Sequence, residues 1–300
     1  MKSDKKTILI TGSSGFIGCN LFNKLQKDKY NLIAPTHEEL NLLDGNSVFE
    51  FFSKNNIDIV LHCAASGVNK KNNNSDTLKN NLLMFFNIIG VKAFFTKMIN
   101  FGSGAEYDKS RDIVQISEEE FGKRIPKDDY GLSKFICAKY AMDVDFITHI
   151  RLFGVFGEKE DYKTRFISNA ICNAIVNNQI SINQNVYFDY LCINDLVKIV
   201  DRMISLEKTD YKVYNVGSGI RVDLLSIAKK ICDKLNIENP IKINVEGLNR
   251  EYTCNISRAK SEFLKDFNFT NLDISIDELI GFYKKNTVDL NVENVITKSR

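Results

Sequence analysis

The chain has 300 residues, 44% of them apolar and 26% charged, enough for a sizeable buried core in one large domain or two closely joined ones. Forty Lys and Arg against 38 Asp and Glu leave a formal net charge of +2, which gives no strong field to draw nucleic acid or a membrane surface. No apolar run reaches the roughly 18 residues of a membrane span, and "MKSDKKTILITG" passes straight into a strand, so the sequence reads as cytoplasmic.

In chain order, "KKTILITG" predicts a first strand and "FIGCNLFNKLQKDK" a helix with apolar residues at helical spacing. The strand "YNLIAP", a polar helix near 46–55 and the strand "IDIVLHCAA" come next. A long helix carries Leu78, Leu82, Phe85, Phe86 and Ile89 and leads to the strand "KMINFGSG". A helix around 129–142 then precedes "FITHIRLFGVFG". Continuous apolar strands alternating with helices predict a parallel sheet covered on both faces. Beyond about residue 158 the pattern loosens into a helix at 164–178, a strand at 185–193, a helix at 194–205, the strand "YKVYNVG", and helices near 223–235 and 273–285. The expected division is a dinucleotide-binding half, residues 1–160, to which strands near 185–217 could return, and a smaller half, 161–300, that meets the substrate.

The seven cysteines are an odd number, scattered and without C-x-x-C, and there are only three histidines. Reduced core thiols fit this better than disulfides or a metal site. The run "NKKNNNSD" carries no chemical pattern and reads as surface composition.

The segment "TGSSGFIG" sets Gly12, Gly15 and Gly18 between the first strand and the first helix. Glycine there permits a tight turn, close approach of a pyrophosphate and close helix–strand packing, while the helix N-terminus offers free N–H groups. Downstream, "DDYGLSKFICAKY" places Tyr130 and Lys134 one helical turn apart on one face. An ammonium beside a phenol favours phenolate and suits the tyrosine to move a proton to or from a substrate oxygen.

The T-G-x-x-G-F-I-G and Y-x-x-x-K patterns resemble the extended branch of the short-chain dehydrogenase/reductase superfamily. The phrase "THEELNLLD" is similar to the GDP-fucose synthase-like sugar-nucleotide reductases of that branch. The resemblance implies an α/β fold, a Rossmann-type doubly wound parallel sheet with a smaller C-terminal substrate-binding α/β domain. It implies that Gly12, Ser14, Gly15, Phe16, Ile17, Gly18, His37, Leu43, Asp44, Ala64, Ala65 and Lys134 line the cofactor. Asp44 would reach the adenine; its other reading is a helix-capping acid. The two arginines that grip a 2′-phosphate in those relatives are Ser14 and His37 here, and the acid that marks NAD is absent too; the resemblance leaves NADPH favoured. Asn81 matches an asparagine that is structural in the family.

Ser103, in "FGSGAEY", matches the serine of the branch's S-x-x-x-Y pattern, and the resemblance makes it a substrate-facing hydroxyl beside Tyr130. The next two positions hold the acid and base of sugar-nucleotide dehydratases, or the cysteine of epimerising relatives; here they are Gly104 and Ala105. Glu106 falls one residue too late to replace them, and the partner histidine is replaced by Arg165. Gly104, Ala105, Arg165, Arg221 and Arg250 are the candidates for contact with a nucleotide-linked sugar, the arginines because guanidinium forks suit phosphate. The family's substrate asparagine is Gly154, and Asp195 reads as a helix cap. The expectation is an NAD(P)H-dependent 4-keto reductase, a homodimer, without dehydratase or C3/C5-epimerase machinery. The alternatives are an NAD-retaining C4 epimerase and a non-enzymatic dinucleotide-binding regulator.

Overall fold

The computed structural model describes residues 5–67, 76–238 and 241–286. Positions 69–75 of the Asn/Lys-rich run lie outside them. The first half contains β1 (Lys6–Thr11), α1 (Phe16–Lys24), β2 (Tyr30–Ile33), α2 (Gly45–Lys54), β3 (Ile59–His62), α3 (Thr77–Gly90), β4 (Lys97–Ser103), β5 (Ile113–Ile116), α4 (Asp129–Met142), β6 (Ile147–Leu152) and β7 (Gly154–Phe156). The second contains α5 (Phe166–Asn177), β8 (Ile180–Asn185), β9 (Tyr187–Cys192), α6 (Ile193–Ser205), β10 (Val213–Val216), β11 (Arg221–Asp223), α7 (Leu224–Leu235), β12 (Ile241–Leu248), β13 (Tyr252–Cys254), α8 (Ser257–Glu262) and α9 (Leu272–Lys285).

Six strands form an all-parallel sheet in the order β10-β6-β4-β3-β1-β2. Its strands read as unbroken apolar runs because both faces are covered: Ile8, Leu9 and Ile10 of β1 have no exposed surface. One face packs on α1 and α6, the other on α2, α3 and α4. Short acids and amides fix several helix starts. Asp44 caps α2, Asp128 caps α4, Asp223 caps α7 and Asn271 caps α9, each accepting a backbone N–H of the first turn.

Of the late strands, β10 joins the parallel sheet as its edge. β9 lies instead in a second sheet, β11-β9-β13-β5, with β7 also paired to β9. A further parallel pair, β8 and β12, runs beside α5 and α7. Asp195 is the third residue of α6 and not its cap. Its buried carboxylate accepts the Thr270 N–H (2.7 Å) and hydroxyl (2.8 Å), tying α6 to the chain before α9. All seven cysteines are free. No helix among the described residues is long and apolar enough to cross a membrane.

Candidate active site

The chain reverses direction across the sheet between β1 and β3, and the ends of these strands open a crevice at that switch point. Gly12 has φ +66°, and a Cβ there would stand 2.7 Å from the backbone N and Cα of Ala64. A Cβ at Gly18 would run into the Gly12 carbonyl. Both positions therefore require glycine, one for the turn and one for helix packing. Gly15 N–H donates to the Gly12 carbonyl (3.0 Å) and caps α1 without any side chain, leaving N–H groups of the first turn without a side-chain partner. Ser14 and Gly15 are exposed, while Phe16 and Ile17 pack partly into the core. Across the crevice, the Ala64 N–H donates to Thr11 Oγ (3.3 Å), and that oxygen also meets His62 Nδ1 at 2.9 Å. Burial, then the Lys134 charge, drives the His62 imidazole down to about 3, so it is neutral. A glycine turn, a helix start with no side-chain cap and small Ala64 and Ala65 fit a dinucleotide pyrophosphate.

At the end of β2, His37 is exposed and Leu43 is 39% exposed. Asp44 accepts the Asn46 N–H at 2.9 Å, the helix-capping alternative. The adjoining groove is lined by Glu38, Glu39, Asp44 and Glu50, with Lys54 already paired to Glu50 at 3.3 Å. Carboxylates dominate this rim.

Ser103 ends β4. Its Oγ accepts the Ala105 N–H (3.1 Å) and its own N–H donates to Glu106 Oε1 (2.9 Å), a reciprocal cap on the single turn 104–106. Ser103 Oγ donates no hydrogen bond to a described residue, so its hydrogen is available to a ligand. Helix α4 is seated on this turn, since a Cβ at Gly131 would lie 2.6 Å from the Ala105 carbonyl. Next to Gly131, Tyr130 is half-buried. One turn on, buried Lys134 donates to the Phe101 carbonyl (2.8 Å) and holds its ammonium 6.0 Å from the Tyr130 ring centre. The structure thus brings Ser103, Tyr130 and Lys134 to one end of β4 and α4. Asn81 links this region to the crevice: it accepts the Ser66 N–H (2.7 Å) and donates to Ser133 Oγ (2.9 Å), whose hydroxyl donates to the Tyr130 carbonyl.

Glu106 has no exposed surface. Burial would raise its carboxyl, but His149 and Arg151 outweigh that and hold it below the usual range. No local pattern in the sequence marks this: Arg151 and His149 come from β6, and the sheet register places them under the serine turn.

The substrate side is narrower than the family pattern suggests. Gly104 and Ala105 are both buried, and a Cβ at Gly104 would collide with the Tyr252 hydroxyl and lie 2.8 Å from Phe153. Gly154, the family's asparagine position, has no room either, because a Cβ would meet the Asp189 carbonyl at 2.5 Å and the Tyr190 ring at 3.0 Å. Asp189 is fully buried and accepts N–H groups of Ser218 and Gly219, fixing the loop before β11. Arg221 gives its Nε to Glu251 (2.8 Å) and stacks 3.4 Å over Tyr187, so its fork is partly committed inside the protein. Arg250 is exposed immediately before Glu251, and Arg165 precedes α5. Arg221 thus lies on β11, Arg250 in the loop between β12 and β13, and Arg165 just before α5. Tyr252, absent from the sequence expectations, packs at a tilt against Phe153 and Phe188 with ring centres 4.8 and 5.5 Å apart.

Comparison with known proteins bears on this site. One similar protein is a dTDP-4-dehydro-6-deoxyglucose reductase of Escherichia coli, 29% identical over 93% of this chain and 98% of its own. Another is a GDP-6-deoxy-D-talose 4-dehydrogenase of Aggregatibacter actinomycetemcomitans, 24% identical over 95% and 99%. Among solved structures, a GDP-D-glycero-L-gluco-heptose synthase of Campylobacter jejuni, determined in the presence of NADPH, superposes with a TM-score of 0.80 at 17% identity, covering 95% of this chain and 99% of that one. Residues 8–217 match the NAD dependent epimerase/dehydratase family, and with its glycine turn and Ser103–Tyr130–Lys134 set the chain belongs to that family.

Proposed function

We propose that the protein is an NAD(P)H-dependent reductase of a nucleotide-linked 4-keto-6-deoxy sugar, with GDP-linked hexoses or heptoses favoured. The observation that carries this reading is Ser103 at the end of β4, its hydroxyl hydrogen without an acceptor among the described residues, next to the Tyr130–Lys134 helix and followed by Gly104 and Ala105. The bound nicotinamide would supply a hydride. Ser103 donates a hydrogen bond to the C4 carbonyl oxygen and polarises it. Tyr130 then gives its proton to that oxygen as the alkoxide forms, and Lys134, anchored on the Phe101 carbonyl, holds positive charge behind the phenol. Neither Gly104 nor Ala105 can move a proton at C3, C5 or C6, so hydride transfer proceeds without dehydration or epimerisation.

The names of the two sequence relatives support a 4-reductase or 4-dehydrogenase reaction, one on a dTDP-linked and one on a GDP-linked sugar. NADPH is proposed from the family resemblance, against the acidic rim beside Asp44, which weakens the preference. Residues 1–160 with β10 are proposed to hold the dinucleotide, and the remainder to close over the sugar nucleotide. A homodimer through α3 and α4 is proposed from Leu83, Phe86 and Met142, exposed apolar residues on those helices.

Incubation of the purified protein with NADPH and freshly generated GDP- and dTDP-linked 4-keto-6-deoxy sugars tests the reading. One equivalent of NADPH consumed per C4 alcohol formed is expected. Interconversion of C4 epimers with retained NAD and no NADPH consumed would replace the reductase by the epimerase.

A further inference from the structure

Glu106 is a charged residue where the turn could have closed on an apolar one. Its Oε1 accepts the Ser103 N–H at 2.9 Å and lies 2.8 Å from His149 Nε2; its Oε2 accepts the Arg151 Nε–H. On the far side of the imidazole, Asn100 Nδ2 donates to His149 Nδ1 at 2.8 Å, so the remaining ring hydrogen is on Nε2 and points at Glu106. Gly102 is needed for this passage, since any Cβ there would strike both His149 and Glu106. The Arg151 guanidinium lies 3.9 Å from the Phe121 ring centre, with Nη2 lacking a hydrogen-bond partner among the described residues.

A fully buried ion pair is weak as a stabilising device, because desolvation offsets its attraction. What such a pair does well is fix geometry, and this one ends on the backbone of Ser103. The same cap that carries Glu106 on one side engages Ser103 Oγ on the other. We propose that Glu106 is a positioning residue, which through Arg151 and His149 sets the direction of the Ser103 hydroxyl toward the sugar carbonyl. This rests on the reading of Ser103 as the carbonyl-polarising group.

The test is a double-mutant cycle in the full-length protein, with circular dichroism confirming the fold. Ser103→Ala, Glu106→Val and the pair are compared in kcat and in KM for sugar nucleotide and NADPH. Glu106→Val is expected to lower kcat about 10- to 100-fold with both KM values within about threefold, the cost of a misdirected group. Glu106→Gln, which keeps an acceptor for the Ser103 N–H, recovers most of that loss. In the Ser103→Ala background Glu106→Val costs less than about threefold more, since the group it orients is gone. Because Glu106→Val strands the Arg151 charge, Glu106→Val/Arg151→Met is run alongside, and the same loss of kcat is expected in that variant. A kcat unchanged in folded Glu106→Val, or an equal loss with and without Ser103, overturns the positioning role alone. An unchanged kcat in Ser103→Ala overturns both it and the reading of Ser103.

Discussion

The Tyr252 hydroxyl stands in the space that a side chain at Gly104 would fill. A residue from β13 thus occupies the place where sugar-nucleotide dehydratases are expected to carry an acid on the serine turn, and its ring packs against Phe153 and Phe188. Tyr252→Phe removes one oxygen without disturbing that packing. The expected result is a rise of about 5- to 10-fold in KM for the sugar nucleotide, the worth of one hydrogen bond, with KM for NADPH unchanged. Steady-state kinetics with each ligand varied in turn checks it. Gly104→Asp, which would supply the acid expected of dehydratases, should collide with Tyr252 and Phe153 and abolish binding.

Lys134 and Tyr130 share a helix face, and Lys134 is tied to β4 by a hydrogen bond of 2.8 Å to Phe101. Tyr130→Phe should lower kcat by about 10²- to 10⁴-fold, the range for loss of a general acid, and leave thermal stability near that of the parent. Lys134→Met should lower kcat similarly and also destabilise the fold, by about 1–3 kcal/mol, because the Phe101 carbonyl loses its buried partner. Kinetics paired with thermal melts separates the two effects.

Cofactor preference follows from the carboxylate rim. With no guanidinium from Ser14 or His37, a 2′-phosphate gains little, and kcat/KM for NADPH should exceed that for NADH by less than about tenfold, short of what one charge-assisted contact supplies. His37→Arg should widen the ratio by about 10-fold or more. A wild-type preference of a thousandfold would show that another cation serves the phosphate.

Glu160 gives a pH-dependent prediction. Burial lifts its carboxyl from 4.5 to about 8, against a hydrogen bond from Ser168 at 2.7 Å and the charge of Arg165. The folded protein therefore holds this proton more tightly than the unfolded chain. The stabilising contribution is fully present below about 4.5 and is lost as pH rises through about 8. Glu160→Gln keeps the neutral shape and should gain on the wild type across that window, by at most about 5 kcal/mol. Urea unfolding at pH 5 and pH 8.5 measures it, and parallel curves for the two proteins would contradict it.

Much of the sheet half was legible because its signals are local. An apolar strand, a glycine turn and a 3.6-residue helix pattern each lie within about twenty residues, and β1, α1, α4 and β6 appear where their runs predict. β7 falls inside the run predicted as one strand with β6, whereas β5, β11 and β13 carry no local signal, being three or four residues long and stabilised by pairing with distant β9 or with each other. β12 does alternate apolar and polar residues, Ile241 to Glu246, but it is largely exposed and, among the described residues, pairs with β8 alone, which the sequence pattern does not mark as a strand of its own. The same distinction governs the site. Ser103, Tyr130 and Lys134 carry a motif, whereas Glu106 and Tyr252 acquire their roles only from β6 and β13 folding against the serine turn.

The central claim, hydride delivery to C4 without proton exchange elsewhere on the ring, is tested most directly by isotope tracing. The reaction is run with 4-deuterated NADPH in ordinary water and with ordinary NADPH in deuterium oxide, and the product is read by NMR. Deuterium from the cofactor at C4, with no solvent deuterium at C3 or C5 beyond that of an enzyme-free control, is the predicted result. Enzyme-dependent solvent deuterium at C3 or C5, or no cofactor deuterium at C4, would contradict it.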